Sequence, residues 1–154
     1  MGTQVWTTYT IGGKIDANKV DELQDLMLEN GILTAREAIE QGVNLSTEGE
    51  CSYGNFEELE GFCTENGLTY IKSWGASPGE FHSGIERYDG ETGESTDIGA
   101  DDDGRAVMTA KEIREALADG RTIEDILAYL DSFDPSSVPA LKVDDLVARA
   151  GGSL

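Results

Sequence analysis

Histidine occurs once in this 154-residue chain, at His82, and cysteine twice, at Cys51 and Cys63. A zinc site needs several nitrogen or sulfur ligands at set spacings, and His82 has no companions for one. Neither cysteine stands in a nucleophile signature, so a His–Cys couple has no local support. Both cysteines fall in apolar registers and are expected to be reduced core thiols. Gly12-Gly13-Lys14 lacks the spacing of a phosphate-cradling loop and the Ser or Thr after its lysine. No stretch of about 18 apolar residues predicts a membrane helix, and no charged start followed by an apolar run predicts a secretory signal. The expectation is a cytoplasmic protein without metal or cofactor. With so many acids, carboxylate pairs are inevitable, so a pair alone has no catalytic meaning, and the sequence reads as non-enzymatic.

Basic side chains are also scarce: eleven Lys and Arg face thirty-one Asp and Glu, for a net charge of −20. Residues 41–108 alone hold a net −12. That balance excludes direct nucleic-acid binding, which draws on phosphate contacts from basic residues. It far exceeds the net charge of roughly 2–8 that solubility needs, and self-repulsion opposes compactness. Disorder is not the explanation. The same acidic stretch carries Tyr53, Phe56, Phe62, Tyr70, Trp74, Phe81 and Tyr88 in periodic patterns.

Alternation at Val5, Thr7, Tyr9 and Ile11 predicts a strand ended by Gly12-Gly13. Asn18 is the expected cap of a helix over 18–30, with Val20, Leu23, Leu26 and Met27 as its apolar stripe. Thr34 with Glu37 forms a capping box for a short helix to Gln41. A second strand is expected over 43–53. Asn55 with Glu58 should start a helix whose stripe is Phe56, Leu59, Phe62 and Cys63, with Asn66-Gly67 as its stop. Leu68–Trp74 and Phe81–Tyr88 read as further strands. Residues 89–105 read as acidic turns beginning at Asp89-Gly90. Three helical patterns follow. Thr109 and Glu112 cap the first, with Ile113 and Leu117 inside. Thr122 starts the second, with Ile123, Ile126, Leu127, Leu130 and Phe133 facing inward. Val143, Leu146, Val147 and Ala150 pattern the third.

Residues 21–32 parallel residues 57–68 at an offset of 36, each copy preceded by a strand. This suggests a duplicated strand–helix unit. The expected class is α+β: a ferredoxin-like antiparallel sheet with two helices on one face, plus a C-terminal helical appendage. The expected division is an acidic α+β domain over 1–108 and the appendage over 109–154.

Asp101-Asp102-Asp103-Gly104 resembles part of a calcium loop. An EF-hand aligned on Gly104 would put Gly99 first and Ala110 twelfth, where carboxylates are required, so the segment reads as a solvated acidic turn. The acidic helix faces carry more. Asp21, Asp25 and Glu29 recur every four residues with Glu22 beside them. Like charges so placed destabilise a helix by roughly 0.2–0.5 kcal/mol per pair. Glu57, Glu58 and Glu65 repeat the theme opposite the second stripe. A merely solvated helix mixes signs.

The stretch YGNFEELEGFCTENGLTY, residues 53–70, resembles segments of uncharacterised small bacterial proteins, some from phage and plasmid contexts. It transfers no functional residues. The profile as a whole, small, acidic and cofactor-free, resembles anti-defence inhibitors such as anti-CRISPR and anti-restriction proteins. What this implies is an acidic inhibitor that imitates nucleic acid and binds a basic nucleic-acid-binding protein through Asp21, Asp25, Glu29, Glu57, Glu58 and Glu65, with Asp101, Asp102 and Asp103 as a second patch. The competing expectation is a salt-adapted cytosolic adaptor or regulatory protein working through its C-terminal helices.

Overall fold

The computed structural model describes residues 3–28 and 30–144. The first strand, β1 (Gln4–Ile15), leads through a 3-10 turn into helices α1 (Val20–Leu26) and α2 (Ala35–Gln41). Strand β2 (Leu45–Ser52), helix α3 (Glu57–Glu65) and strand β3 (Thr69–Trp74) follow. Two more strands, β4 (Gly84–Tyr88) and β5 (Ser95–Gly99), precede helices α4 (Ala110–Ala118) and α5 (Ile123–Asp131) and the short strand β6 (Leu141–Val143). The sheet order is β2-β1-β3-β4-β5, each neighbour antiparallel, and β6 adds to the far end of β1 in parallel. The architecture is α+β.

The element order differs from a β-α-β-β-α-β plan, and the reason is local. β2 serves both proposed copies, so no strand separates it from α3. Two helices rather than one join β1 to β2, which adds a chain reversal and makes β2 an antiparallel neighbour of β1. β2 and β3 both pair with β1, so they run parallel to each other with β1 between them.

Pleating sorts the core into two clusters. Tyr9 and Ile11 of β1 and Tyr70 of β3 pack with Val20, Leu23, Ala35, Ala38, Leu59, Phe62 and Cys63 from the first three helices. Ile71, the next residue along β3, points to the opposite face. There it joins Ile85, Phe133 and Val138. Residues after α5 thus cover one face while α1–α3 supply the other cluster. Leu141 of β6 returns to the first cluster. Cys51 and Cys63 are buried free thiols, as their registers imply.

Several boundaries shift for tertiary reasons. β1 continues through Gly12-Gly13 because β6 offers it a partner: Gly13 pairs with Leu141 and its N–H donates to the Ala140 carbonyl at 3.2 Å. Gly12 is required there, since a Cβ would sit 1.7 Å from the Pro139 carbonyl oxygen. The expected 18–30 helix ends at Leu26, because Asn30 exchanges backbone bonds with Glu48 of β2 (2.7 and 3.3 Å) and the Thr47 hydroxyl donates to the Leu28 carbonyl. Asn18 lies in the 3-10 turn Ala17–Lys19 and caps nothing. Capping boxes form at Thr34–Glu37, Thr109–Glu112 and Thr122–Asp125, but Asn55–Glu58 makes none. The second strand starts at Leu45 and the fourth at Gly84, Phe81 making only a single bridge to Ser77. Ser95–Gly99, read as turn, is a strand. Val143, read as helical, lies in β6, and the rest of that third helical pattern falls outside the described residues.

Candidate functional site

The α3 helix separates its carboxylates by face. Glu57, Glu58 and Glu65 are exposed, while Glu60 turns inward beside Leu59 and Cys63. On α1, Asp21 and Asp25 are exposed. The two helices pack against each other.

The expected four-residue row on α1 is shortened. With the helix ended at Leu26 it reaches only from Asp21 to Asp25, and Glu29 lies outside the described residues. Asp21 accepts from Arg36 of α2 at 2.6 Å, an exposed pair that neutralises it. Asp25, Glu57, Glu58 and Glu65 have no hydrogen-bonding or cationic partner among the described residues.

Position on the helix divides these four. Glu57 and Glu58 sit in the first turn of α3, where the dipole favours negative charge. Asp25 and Glu65 sit in the last turns of α1 and α3, where it is disfavoured and no basic residue compensates. Neither local structure nor ion pairing accounts for acids at those two positions.

The acidic loop is organised internally. Asp101 Oδ1 accepts the backbone N–H groups of Asp103 and Arg105 at 3.0 and 2.9 Å, and its Oδ2 meets Arg105 Nε at 2.9 Å. The backbone N–H of Arg105, first, and its guanidinium hold the Asp101 carboxyl below its ordinary range. Asp103, also exposed, pairs with the same guanidinium at 3.2 Å, and Asp102 is exposed with no partner among the described residues. Among the described residues, no three His, Cys, Asp or Glu side chains gather as a metal site.

Beneath α3 lies a network that the sequence reading did not anticipate. Lys72 of β3 is 4% exposed. Its ammonium reaches Asn55 Oδ1 at 2.6 Å, Glu60 at 3.3 Å and Glu86 at 3.5 Å, and lies 5.4 Å from the centre of the Trp74 ring. The Tyr70 hydroxyl lies 3.2 Å from Glu60 and 3.1 Å from Glu86. The Tyr9 hydroxyl donates to Glu60 and accepts the Phe56 N–H at 2.8 Å. The missing Asn55 cap follows, since Lys72 takes that oxygen and Tyr9 satisfies the first free amide of α3. Burial first, then Glu60, raises the Tyr9 hydroxyl far above its usual value. Burial, then Glu60 and Glu86, does the same for Tyr70. Every buried side-chain polar atom among the described residues has a partner. The network is closed and helps hold α3 on the sheet.

A third surface is apolar. Leu117 of α4 and Ile123 and Leu127 of α5 are 43%, 55% and 54% exposed, contrary to their expected inward placement. Ile126 and Phe133 alone of that second pattern are fully buried, Leu130 being half-buried. No helix among the described residues is long and apolar enough to cross a membrane. Comparison with known families, curated proteins and solved structures finds no match for this chain.

Proposed function

We propose that this protein is a non-enzymatic acidic inhibitor of the anti-defence type, which occupies the basic groove of a nucleic-acid-binding protein. The observation that carries the reading is the set Asp25, Glu57, Glu58 and Glu65: exposed carboxylates on two touching helices, none paired among the described residues, two of them at helix ends that disfavour them. A basic groove that draws affinity from phosphates offers such carboxylates their missing partners. The net charge of −20 steers the encounter. Asp21, Asp101 and Asp103 contribute less, because arginines already hold them. The test is inhibition of DNA cleavage by restriction and RNA-guided nucleases, with excess DNA as competitor. Inhibition should weaken steeply with salt and be relieved by DNA. D25N/E57Q/E58Q/E65Q should slow association. Inhibition unchanged by that variant, or by salt, refutes the reading.

A second reading rests on a separate observation, the exposed Leu117, Ile123 and Leu127. In it the protein is a salt-adapted adaptor whose α4–α5 hairpin docks on a partner, exposed apolar clusters being common at such surfaces. L117S/I123S/L127S would abolish that association and leave nuclease inhibition intact. Loss of structure in dilute buffer would mark salt adaptation.

A further inference from the structure

The end of the sheet where β6 joins β1 carries an unexpected concentration of positive charge. In the parallel pairing, Lys14 of β1 stands directly beside Lys142 of β6. Their neighbours Ile15 and Leu141 enter the core, so both lysines project from the opposite face. Like charges side by side across a strand pair destabilise it. Both are exposed, and neither ammonium has a carboxylate partner among the described residues, although the chain has thirty-one acids and only five lysines. Between them opens a cavity of about 390 Å³, also lined by Gly13, Gly67, Thr69 and Glu91. That volume falls in the usual range for small-molecule sites. The two glycines leave the backbone open to close approach. The Thr69 hydroxyl accepts the Gly90 N–H at 3.0 Å and retains its own proton to donate.

We propose that this cavity binds a small dianion of the phosphate monoester class. Two ammonium groups match the charge of a phosphate monoester near neutral pH, and Thr69 adds a hydroxyl donor. Among the described residues Glu91 is the one acid lining the cavity, and it opposes the ligand, setting a limit on affinity. Asp16 and Asp144, each two residues along from one lysine, stand about 7 Å away and also oppose an anion, while more distant negative charge is largely screened beyond a Debye length of about 8 Å at physiological ionic strength. The site is independent of the acidic helices.

The experiment is amide-resolved NMR titration near neutral pH at about 0.15 M salt, with inorganic phosphate and adenosine monophosphate as probes. Adenosine monophosphate should give saturable shifts confined to Gly13, Lys14, Gly67, Thr69 and Lys142, with Kd of about 1 mM or tighter. Inorganic phosphate should shift the same amides more weakly, since it fills less of the cavity. K14Q and K142Q should each weaken binding about tenfold, K111Q on α4 should not change it, and E91Q should tighten it. The lysines are exposed, so both variants should keep the native spectrum. If one unfolds, the other and E91Q still decide. Shifts that do not saturate, shifts scattered over all lysines, equal weakening by K111Q, or no response to adenosine monophosphate overturns the proposal.

Discussion

Replacing Lys72 with methionine isolates what the buried ammonium contributes. Methionine keeps an unbranched apolar stem of similar length, so packing changes little and the charge is lost. The ammonium faces Glu60 at 3.3 Å and Glu86 at 3.5 Å. At an effective dielectric of about 20, each contact is worth about 5 kcal/mol of Coulomb attraction, much of it offset by desolvation of the ions. Removal of one partner is not offset. The two carboxylates, 19% and 26% exposed, would then keep only neutral donors: the Tyr9 hydroxyl and the Phe56 N–H for Glu60, the Ser95 hydroxyl for Glu86, and one Tyr70 proton between them. Breaking a buried pair this way costs about 3–5 kcal/mol. For a domain of this size that lowers Tm by about 10 °C. Urea unfolding followed by far-ultraviolet circular dichroism measures it. K72M/E60Q should recover part of the cost through a coupling of about 1–3 kcal/mol. A loss below about 1 kcal/mol would mean that water reaches the carboxylates freely and that the network is worth no more than a surface ion pair. The clamp on α3 would then have to be apolar.

The apolar part of that clamp is tested by L59A and F62A, both buried under α3. Each should cost about 2–5 kcal/mol in the same titration. The tyrosines predict alkaline weakening. Burial, then Glu60, raises the folded Tyr9 and Tyr70 hydroxyls, while unfolded tyrosine ionises near about 10. Above that pH the unfolded chain binds fewer protons than the folded one, so stability is complete below it and falls as pH rises past it. Y9F/Y70F should flatten this fall. Burial, with Glu60 adding, pushes the Cys63 thiol up to about 12, so at mildly alkaline pH it should react with iodoacetamide only at the rate of opening and become fast in urea.

Local signals in the sequence translated into structure wherever no distant group competed. The boxes at Thr34, Thr109 and Thr122 need only residues three apart, and all three form. Asn55 carries the same signal and fails, because Lys72, seventeen positions away, claims its oxygen. Asn30 and Asn66 end matching sequence repeats, yet Asn66 bonds back to the Phe62 carbonyl while Asn30 is drawn to β2. Strand β5 has a single apolar side chain, Ile98, packed against the second cluster, and so gives no alternation to detect. Periodicity also reports an apolar helix face without saying what covers it, so it places Leu117, Ile123 and Leu127 inward where the structure exposes them. Lys72 did leave a trace. It shares the parity of Tyr70 and Trp74, and Glu60 falls four residues after Phe56 and three before Cys63. A lysine at inward strand parity, with a glutamate on the inward stripe of the preceding helix, is the pattern of a buried pair.

The outer acids of α1 and α3 divide into positions where charge helps the helix and positions where it does not, and this separates a working surface from a solvated one. E57Q and E58Q remove charge from the start of α3 and should each cost up to about 1 kcal/mol, through the dipole. D25N and E65Q remove charge from helix ends that disfavour it and should each stabilise by about 0.3–1 kcal/mol at low salt. If the face binds a basic groove, all four substitutions should slow association, whatever their sign on stability. The decisive pair is therefore D25N/E65Q, expected to melt higher while inhibiting less. K72M should do the reverse: melt lower, yet bind normally once corrected for the fraction folded, because it leaves the outer carboxylates in place. If D25N/E65Q melts higher and inhibits as well as the parent chain, those acids are idle charge. The reading then passes from the helical face to the α4–α5 hairpin.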